Sequence, residues 1–245
     1  MVILGDYHTH TIHSDGTSTV MENAEWAKKV GLKEIAITDH GFYKLGGMKK
    51  SDVEKIKQQA KIATEQTGVK VYVGVEANII SKNGDIDVSL EEIKMFDVLI
   101  VGFHQILKKC SLASRFGFVL ANNLGIKTKK RKQINTSALC KAMQKYPIDI
   151  ISHPGVGCAV DFVELAKVAK QTNTYLEING KRIAYKKEDI KALVQMQTKF
   201  VMSSDAHKYK NVGNCKKTMN FAFKYNIPRE LIANINNTLV LKNKC

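Results

Sequence analysis

The chain has 245 residues, 44% of them apolar and 25% charged, with a net charge of +15. This composition excludes a disordered, collagen-like or coiled-coil chain, and the length suffices for one sizeable core. No apolar run approaches the roughly 18–20 residues needed to span a bilayer, and the first ten residues lack a basic, signal-like lead, so a cytoplasmic protein without a membrane partner is expected.

Short apolar runs alternate with stretches of helical period. A first strand is predicted over 2–4, then a helix over 20–30 with Ser18 or Thr19 as its cap and Gly31 as its stop. A strand over 35–38, a helix over 52–66 closed by Gly68, and a strand over 71–75 follow. A helix within 91–95 leads to a strand over 98–103, and helices over 111–124 and 136–145 lead to a strand over 148–152. The pattern ends with a helix over 162–172, a strand over 174–178, a helix over 187–196, a strand over 200–203 and a helix over 229–236. The strands are continuously apolar, as parallel strands covered on both faces are. Such alternation predicts one α/β domain over 1–245, with a parallel sheet, open or closed.

Segment 105–146 departs from this economy. Between Asp97 and Asp149 there are ten basic residues and no acidic one, which leaves only about +5 for the rest of the chain. The segment reads as a basic insertion, a lid or an added helical hairpin. Its field attracts phosphorylated metabolites, nucleic acid or acidic membrane surfaces, and it equally serves as a solvated face. Five scattered cysteines without a CxxC pair point to free thiols rather than a zinc ribbon or a redox site.

The informative pattern is where the ligand-type side chains fall. The first strand runs into His8 and His10, the second into Asp39 and His40, the third into Glu76 and the fourth into His104. The fifth ends at His153, the sixth carries Glu177 and Asn179, and the seventh runs into Asp205 and His207. In a parallel sheet all strand C-termini lie on one side, so these residues converge. His8 and His10, two apart on a strand, share a face. Imidazoles mixed with carboxylates suit zinc first, with manganese or iron next, rather than magnesium or calcium. In the loop after the first strand, Asp15 is the favoured further ligand and His13 the weaker one. Asp39 is expected to orient an imidazole from behind.

Eight or nine ligands at about three or four per ion imply two or three divalent cations. Such a site makes a shared water acidic and supplies positive charge to phosphoryl oxygens, which phosphate ester hydrolysis needs. There is no GxSxG elbow and no P-loop.

Taken in order, HTH…SDG, ITDHG, GVEANI, GFH, SHPG, LEING and SDAH resemble the PHP (polymerase and histidinol phosphatase) family, most closely its small stand-alone bacterial phosphatases of the YcdX type. The resemblance runs from about His8 to His207. It implies a distorted (β/α)7 barrel with a trinuclear metal site at the strand C-termini. By this likeness His8, His10, Glu76 and Asp205 would hold one ion, and Glu76 would bridge to a second held by His104 and His153. His40 and His207 would hold the third with a residue of the first loop. The YcdX-type pattern has a histidine there after a longer spacer, where this chain has His13-Ser14-Asp15-Gly16. Arg182 resembles an arginine that holds substrate phosphate in histidinol-phosphatase relatives, a role its planar fork suits.

The expected function is a phosphomonoesterase acting on a small phosphorylated metabolite through a metal-bridging hydroxide, with Asp205 accepting a proton. Its rivals are a PHP-type nuclease, whose nucleic-acid binding would weaken steeply with salt, and a metal-binding module without catalysis.

Overall fold

The computed structural model describes residues 2–104, 118, 120–123 and 128–242. Its seven strands are β1 (Gly5–Thr9), β2 (Glu34–Ile37), β3 (Lys70–Asn78), β4 (Val98–Gly102), β5 (Ile150–Ile151), β6 (Tyr175–Asn179) and β7 (Phe200–Ser203). They pair in sequence order, all parallel. The sheet curls until Thr9 meets Ala206 in a parallel bridge, and the His10 N–H donates to the Ala206 carbonyl at 2.8 Å. The result is a nearly closed (β/α)7 barrel.

One face of each strand serves two purposes along its length. Tyr7, Ala36, Tyr72, Val98, Ile100, Ile150 and Val201 form a single buried cluster inside the barrel, sealed below by Leu239 and Leu241. The alternate residues, such as Ile35, Val71, Val73, Leu99 and Val101, join the larger core under the helices. Two residues beyond Tyr72 and Gly74, the inward face of β3 reaches Glu76, paired in register with Ile100. An apolar plug therefore fills the lower barrel, and polar ligands crown the same faces at the strand C-termini. In β1 the register slips between Asp6, which pairs with Ile35, and Thr9, which pairs with Ile37. This bulge lets the sequence neighbours Tyr7 and His8 both face inward, one into the plug and one into the crown.

The seam between β1 and β7 is stitched by side chains. Asp6 accepts from Ser204 N at 3.0 Å, from Gly213 N at 2.8 Å and from the Ser204 hydroxyl. Lower down, Asn234 Nδ2 donates to the carbonyls of Gly5 (2.8 Å) and Met202 (2.7 Å), and its Oδ1 accepts from Met202 N at 3.1 Å.

Helices cover the outside: α1 (Val20–Lys29), α2 (Val53–Thr67), α3 (Leu90–Ile93), α4 (Leu120–Asn123), α5 (Lys129–Lys145), α6 (Phe162–Gln171), α7 (Lys187–Gln195) and α8 (Lys216–Lys224). Thr19 and Glu22 form a reciprocal capping box on α1, and Gly68 ends α2 with φ 76°. No helix among the described residues is long and apolar enough to cross a membrane.

Four expectations need correction. The first strand is not 2–4 but the polar run Gly5–Thr9, whose charged and hydroxyl side chains find buried partners. The helix expected over 136–145 begins at Lys129, because the Thr128 hydroxyl accepts from Arg131 N at 3.1 Å and caps it there. It packs on α6, with Lys132 Nζ 2.9 Å from Asp161, so this part of the basic segment lies in the barrel's own helical layer. The final helix over 229–236 is only a 3₁₀ turn at Arg229–Leu231, since the chain then extends to bridge β7 and β1. Helix α8 was not anticipated. Of the helix expected over 111–124, Leu120–Asn123 is helical, and most of the remainder lies outside the described residues.

Candidate metal centre

Glu76 is wholly buried and stands among five imidazoles delivered by four strand ends. Its Oε1 lies 3.2 Å from His8 Nε2, 3.1 Å from His104 Nε2 and 2.9 Å from His153 Nε2. Its Oε2 lies 2.9 Å from His40 Nδ1 and 3.6 Å from His10 Nε2. Beyond β7, Asp205 Oδ1 is 3.5 Å from His10 Nε2 and 3.5 Å from His207 Nδ1. His153 and Asp205 adopt positive φ, 29° and 55°. Non-glycine residues rarely do so, and such strain gathers at functional sites.

Asp15 closes the other side of the bowl. Its carboxylate lies 3.2 Å from His40 Nε2, 3.2 Å from His207 Nε2 and 3.9 Å from His10 Nδ1. His13 turns away and meets Gln59 Oε1 at 2.9 Å. Asp39 does not orient an imidazole, contrary to expectation. It accepts from Thr11 N (2.7 Å), Thr11 Oγ1 (2.6 Å) and Ser14 Oγ (2.5 Å), and so pins the loop that carries Asp15. A Cβ on Gly16 would stand 2.7 Å from the His10 carbonyl carbon, so this loop can lie against His10 only with glycine there. Gly16→Ala is expected to push Asp15 off His40 and His207. Elemental analysis after dialysis should then show about one divalent ion fewer than wild type, and an unchanged ion count would refute this role of the loop.

Behind the ring, Glu177 Oε1 lies 2.8 Å from His8 Nδ1, and its Oε2 accepts from His153 N at 2.6 Å and Asn179 Nδ2 at 3.0 Å. A carboxylate only accepts, so Glu177 keeps a proton on His8 Nδ1 and leaves Nε2, on the Glu76 side, as the nitrogen that can give up its proton to a metal. The Glu177 of the sixth strand thus stands behind the candidate ligand His8.

Donor chemistry tests whether a cation fits. His8 Nε2, both ring nitrogens of His10, His40 Nδ1 and Glu76 Oε2 are buried without a hydrogen-bond partner. Each such orphan costs about 1–3 kcal/mol, yet these five face one another. Three sets, His10–Asp15–His40–His207, His8–His10–Glu76 and His40–Glu76–His104, each bring their donor atoms within 4.8 Å. Mixed imidazole and carboxylate donors at this spacing fit divalent cations such as zinc.

Burial opposes charge on His8, His40 and His153, but nearby carboxylates, Glu76 foremost, outweigh it and hold all three above their ordinary pKa. Burial pushes His10 down and takes His104 to about 4. Rings with raised pKa bind protons that a metal must displace, so rising pH clears the site and favours the metal. Zinc binding near neutral pH is therefore expected to release about one or more protons per chain. Calorimetry in two buffers of different ionisation enthalpy measures that release. Zinc affinity independent of pH would contradict ligation by these rings.

The bowl opens into a cleft of about 320 Å³ that Lys44, Phe103, Val156, Lys181 and Arg182 help to line. Arg182 thus sits at the mouth, with its backbone N held by Asn179 Oδ1 at 3.1 Å. Two cations there escaped sequence reasoning. Lys44 Nζ lies 2.7 Å from Asp15 Oδ2, and Lys181 Nζ lies 3.1 Å from Asp205 Oδ1 and 2.6 Å from His207 Nδ1. Only Lys181 had a signal, its place two residues after the end of β6.

The PHP domain model matches residues 6–240. The chain belongs to the PHP family. A protein named "Probable phosphatase" from Caldanaerobacter subterraneus subsp. tengcongensis is 30% identical to it over 94% of this chain and 86% of that one. A second of the same name, from Proteus mirabilis, is 29% identical over 96% and 91%. In fold, this PHP chain is similar to a histidinol phosphate phosphatase of Lactococcus lactis crystallised with zinc, L-histidinol and phosphate. That likeness has a TM-score of 0.59 at 16% identity and covers 91% of this chain and 94% of that one.

Proposed function

We propose that this PHP chain is a phosphomonoesterase for a small phosphorylated metabolite, built on three divalent ions with zinc foremost. At the coarser level it is a metal-dependent phosphoester hydrolase. The observation that carries the finer reading is the convergence of nine ligand-type side chains, Glu76 and Asp15 among them. His8, His10, Glu76 and Asp205 would hold one ion, Glu76, His104 and His153 a second, and Asp15, His40 and His207 a third. When bound, the ions acidify a water and supply positive charge to phosphoryl oxygens.

The chain's own residues do the rest. Asp205 reaches the cleft while Asn179 Nδ2 holds its Oδ2 at 3.2 Å, a placement that supports proton acceptance beside the phosphoryl group. Arg182 at the mouth would hold non-bridging oxygens in its fork. The cleft's volume admits a phosphate with a compact organic group, as a small phosphorylated metabolite carries. Relatives named as phosphatases support the same class of reaction.

The test is phosphate release from p-nitrophenyl phosphate by zinc- or manganese-loaded protein, against chelated protein and His8→Ala. Rates equal in all three would defeat the reading. Arg182→Ala is expected to lower kcat/KM tenfold or more, about 1.5–3 kcal/mol for one charged hydrogen-bonding partner. Arg182→Lys should recover only part, since an ammonium lacks the bidentate fork. An unchanged kcat/KM in Arg182→Ala would remove Arg182 from phosphate binding.

A further inference from the structure

After β3 the chain makes a short excursion and comes straight back. Ile79 and Ile86 pair antiparallel, and Asp87 N donates to Asn78 O at 3.1 Å, so Asp87 returns beside Asn78. Asp87 is buried at 3% exposure and lines no part of the cleft. Its Oδ1 accepts from Asn78 N at 2.7 Å and its Oδ2 from Asn78 Nδ2 at 2.5 Å. With the amide nitrogen so engaged, Asn78 Oδ1 faces His104 Nδ1 at 2.5 Å. A carbonyl oxygen only accepts, so Asn78 keeps a proton on His104 Nδ1 and leaves Nε2, 3.1 Å from Glu76, as the nitrogen a metal can take.

We propose that Asp87 is a positioning residue that fixes the His104 tautomer through the Asn78 amide and so keeps His104 competent to ligate a metal. The proposal rests on the metal-centre reading for its consequence, though not for the hydrogen-bond chain itself. A buried carboxylate is costly, and burial pushes this one up to about 6. An amide at position 87 would relieve that cost and reverse the polarity of the chain. In either orientation it presents a donor to Asn78. The backbone N–H cannot turn away, whereas the Asn78 side chain can. Once flipped, Asn78 offers its NH₂ to His104 Nδ1, which must then accept, and the proton moves to Nε2 on the metal side.

The experiment compares wild type, Asp87→Asn and the double swap Asp87→Asn/Asn78→Asp. In the double swap the introduced amide donates to the introduced carboxylate, whose second oxygen again accepts from His104 Nδ1. Zinc affinity, measured by chelator competition, is expected to fall about 10–100-fold in Asp87→Asn and to return within about threefold of wild type in the double swap. In metal-free protein, ¹⁵N shifts of the His104 ring should report a protonated Nδ1 in wild type and the double swap, and an unprotonated Nδ1 in Asp87→Asn. An unshifted tautomer in Asp87→Asn overturns the proposal, as does a double swap that binds zinc no better than the single. Should Asp87→Asn fail to fold, the double swap decides alone: wild-type affinity with Nδ1–H upholds the relay, and loss of either overturns it. Absence of zinc binding by wild type sinks the metal-centre reading instead, and the ring shifts still judge the relay.

Discussion

Glu76→Gln is expected to lower kcat/KM for a phosphomonoester by on the order of a thousandfold, ~4 kcal/mol of transition-state stabilisation. Glutamine keeps the shape of the side chain, so the barrel should survive. What changes is charge and lone pairs at the one point where five imidazoles meet. Oε1 faces three ring nitrogens within 3.2 Å and Oε2 faces His40 at 2.9 Å, so an amide must aim its NH₂ at one group or the other. The His104, His8 and His40 rings hold the Glu76 carboxyl well below the usual carboxylate range despite its burial, so wild type presents a full negative charge. An amide cannot supply the charge that cations held there would need. Glu177→Gln makes the contrasting case. It touches the far side of His8, the His153 backbone N–H and the Asn179 amide, and a loss of about 10–100-fold is expected. Steady-state kinetics with parallel elemental analysis separates the two. Glu76→Gln within tenfold of wild type, or no worse than Glu177→Gln, would remove Glu76 from the centre of the mechanism.

That contrast marks what the sequence could convey. Strand-end placement was readable because each candidate ligand lies in or within a few residues of a strand's C-terminal end, and parallel strands send all their C-termini to one side. His8 and His10, His40, Glu76, His104, His153, Asp205 and His207 were all placed in this way. Residues that act from behind a ligand were harder to read. Glu177 looks like any strand-end acid, and only three dimensions show its carboxylate behind His8. Asp39 looks like a partner for His40, yet three donors from the Thr11–Ser14 turn claim it. The β1 bulge left no mark in composition, because Tyr7 and His8 satisfy an inward face equally well in different layers. Lys44 and Lys181 were lost among many lysines, since no periodicity governs loops. The stretch 229–236 has helical composition, but sheet edges on β1 and β7 offer its backbone and Asn234 better partners than a helix would.

Asn234 therefore carries the largest stability effect expected of a single side chain remote from the chemistry. Its amide spans the gap where β1 and β7 do not pair, and it serves the Gly5 carbonyl and both backbone groups of Met202. Asn234→Ala leaves those three buried groups without partners at about 1–3 kcal/mol each, so a loss of roughly 3–9 kcal/mol is expected. Against a total stability of about 5–15 kcal/mol that is a large share, and for a chain of this size it lowers Tm by roughly 10 °C or more. Asn234→Asp distinguishes hydrogen bonding from packing. It keeps the acceptor for Met202 N but sets a charged oxygen against two carbonyls, so it should be at least as damaging as alanine. Activity should fall as well, because β1 delivers His8 and His10 while β7 delivers Asp205 and His207, and the His10–Asp205 approach of 3.5 Å depends on the two strands keeping register across the seam. Urea denaturation with and without saturating zinc measures both effects, and added metal should recover part of the loss by binding only the folded state. If Asn234→Ala melts within a few degrees of wild type, the seam is held by the apolar plug and the Asp6 contacts instead.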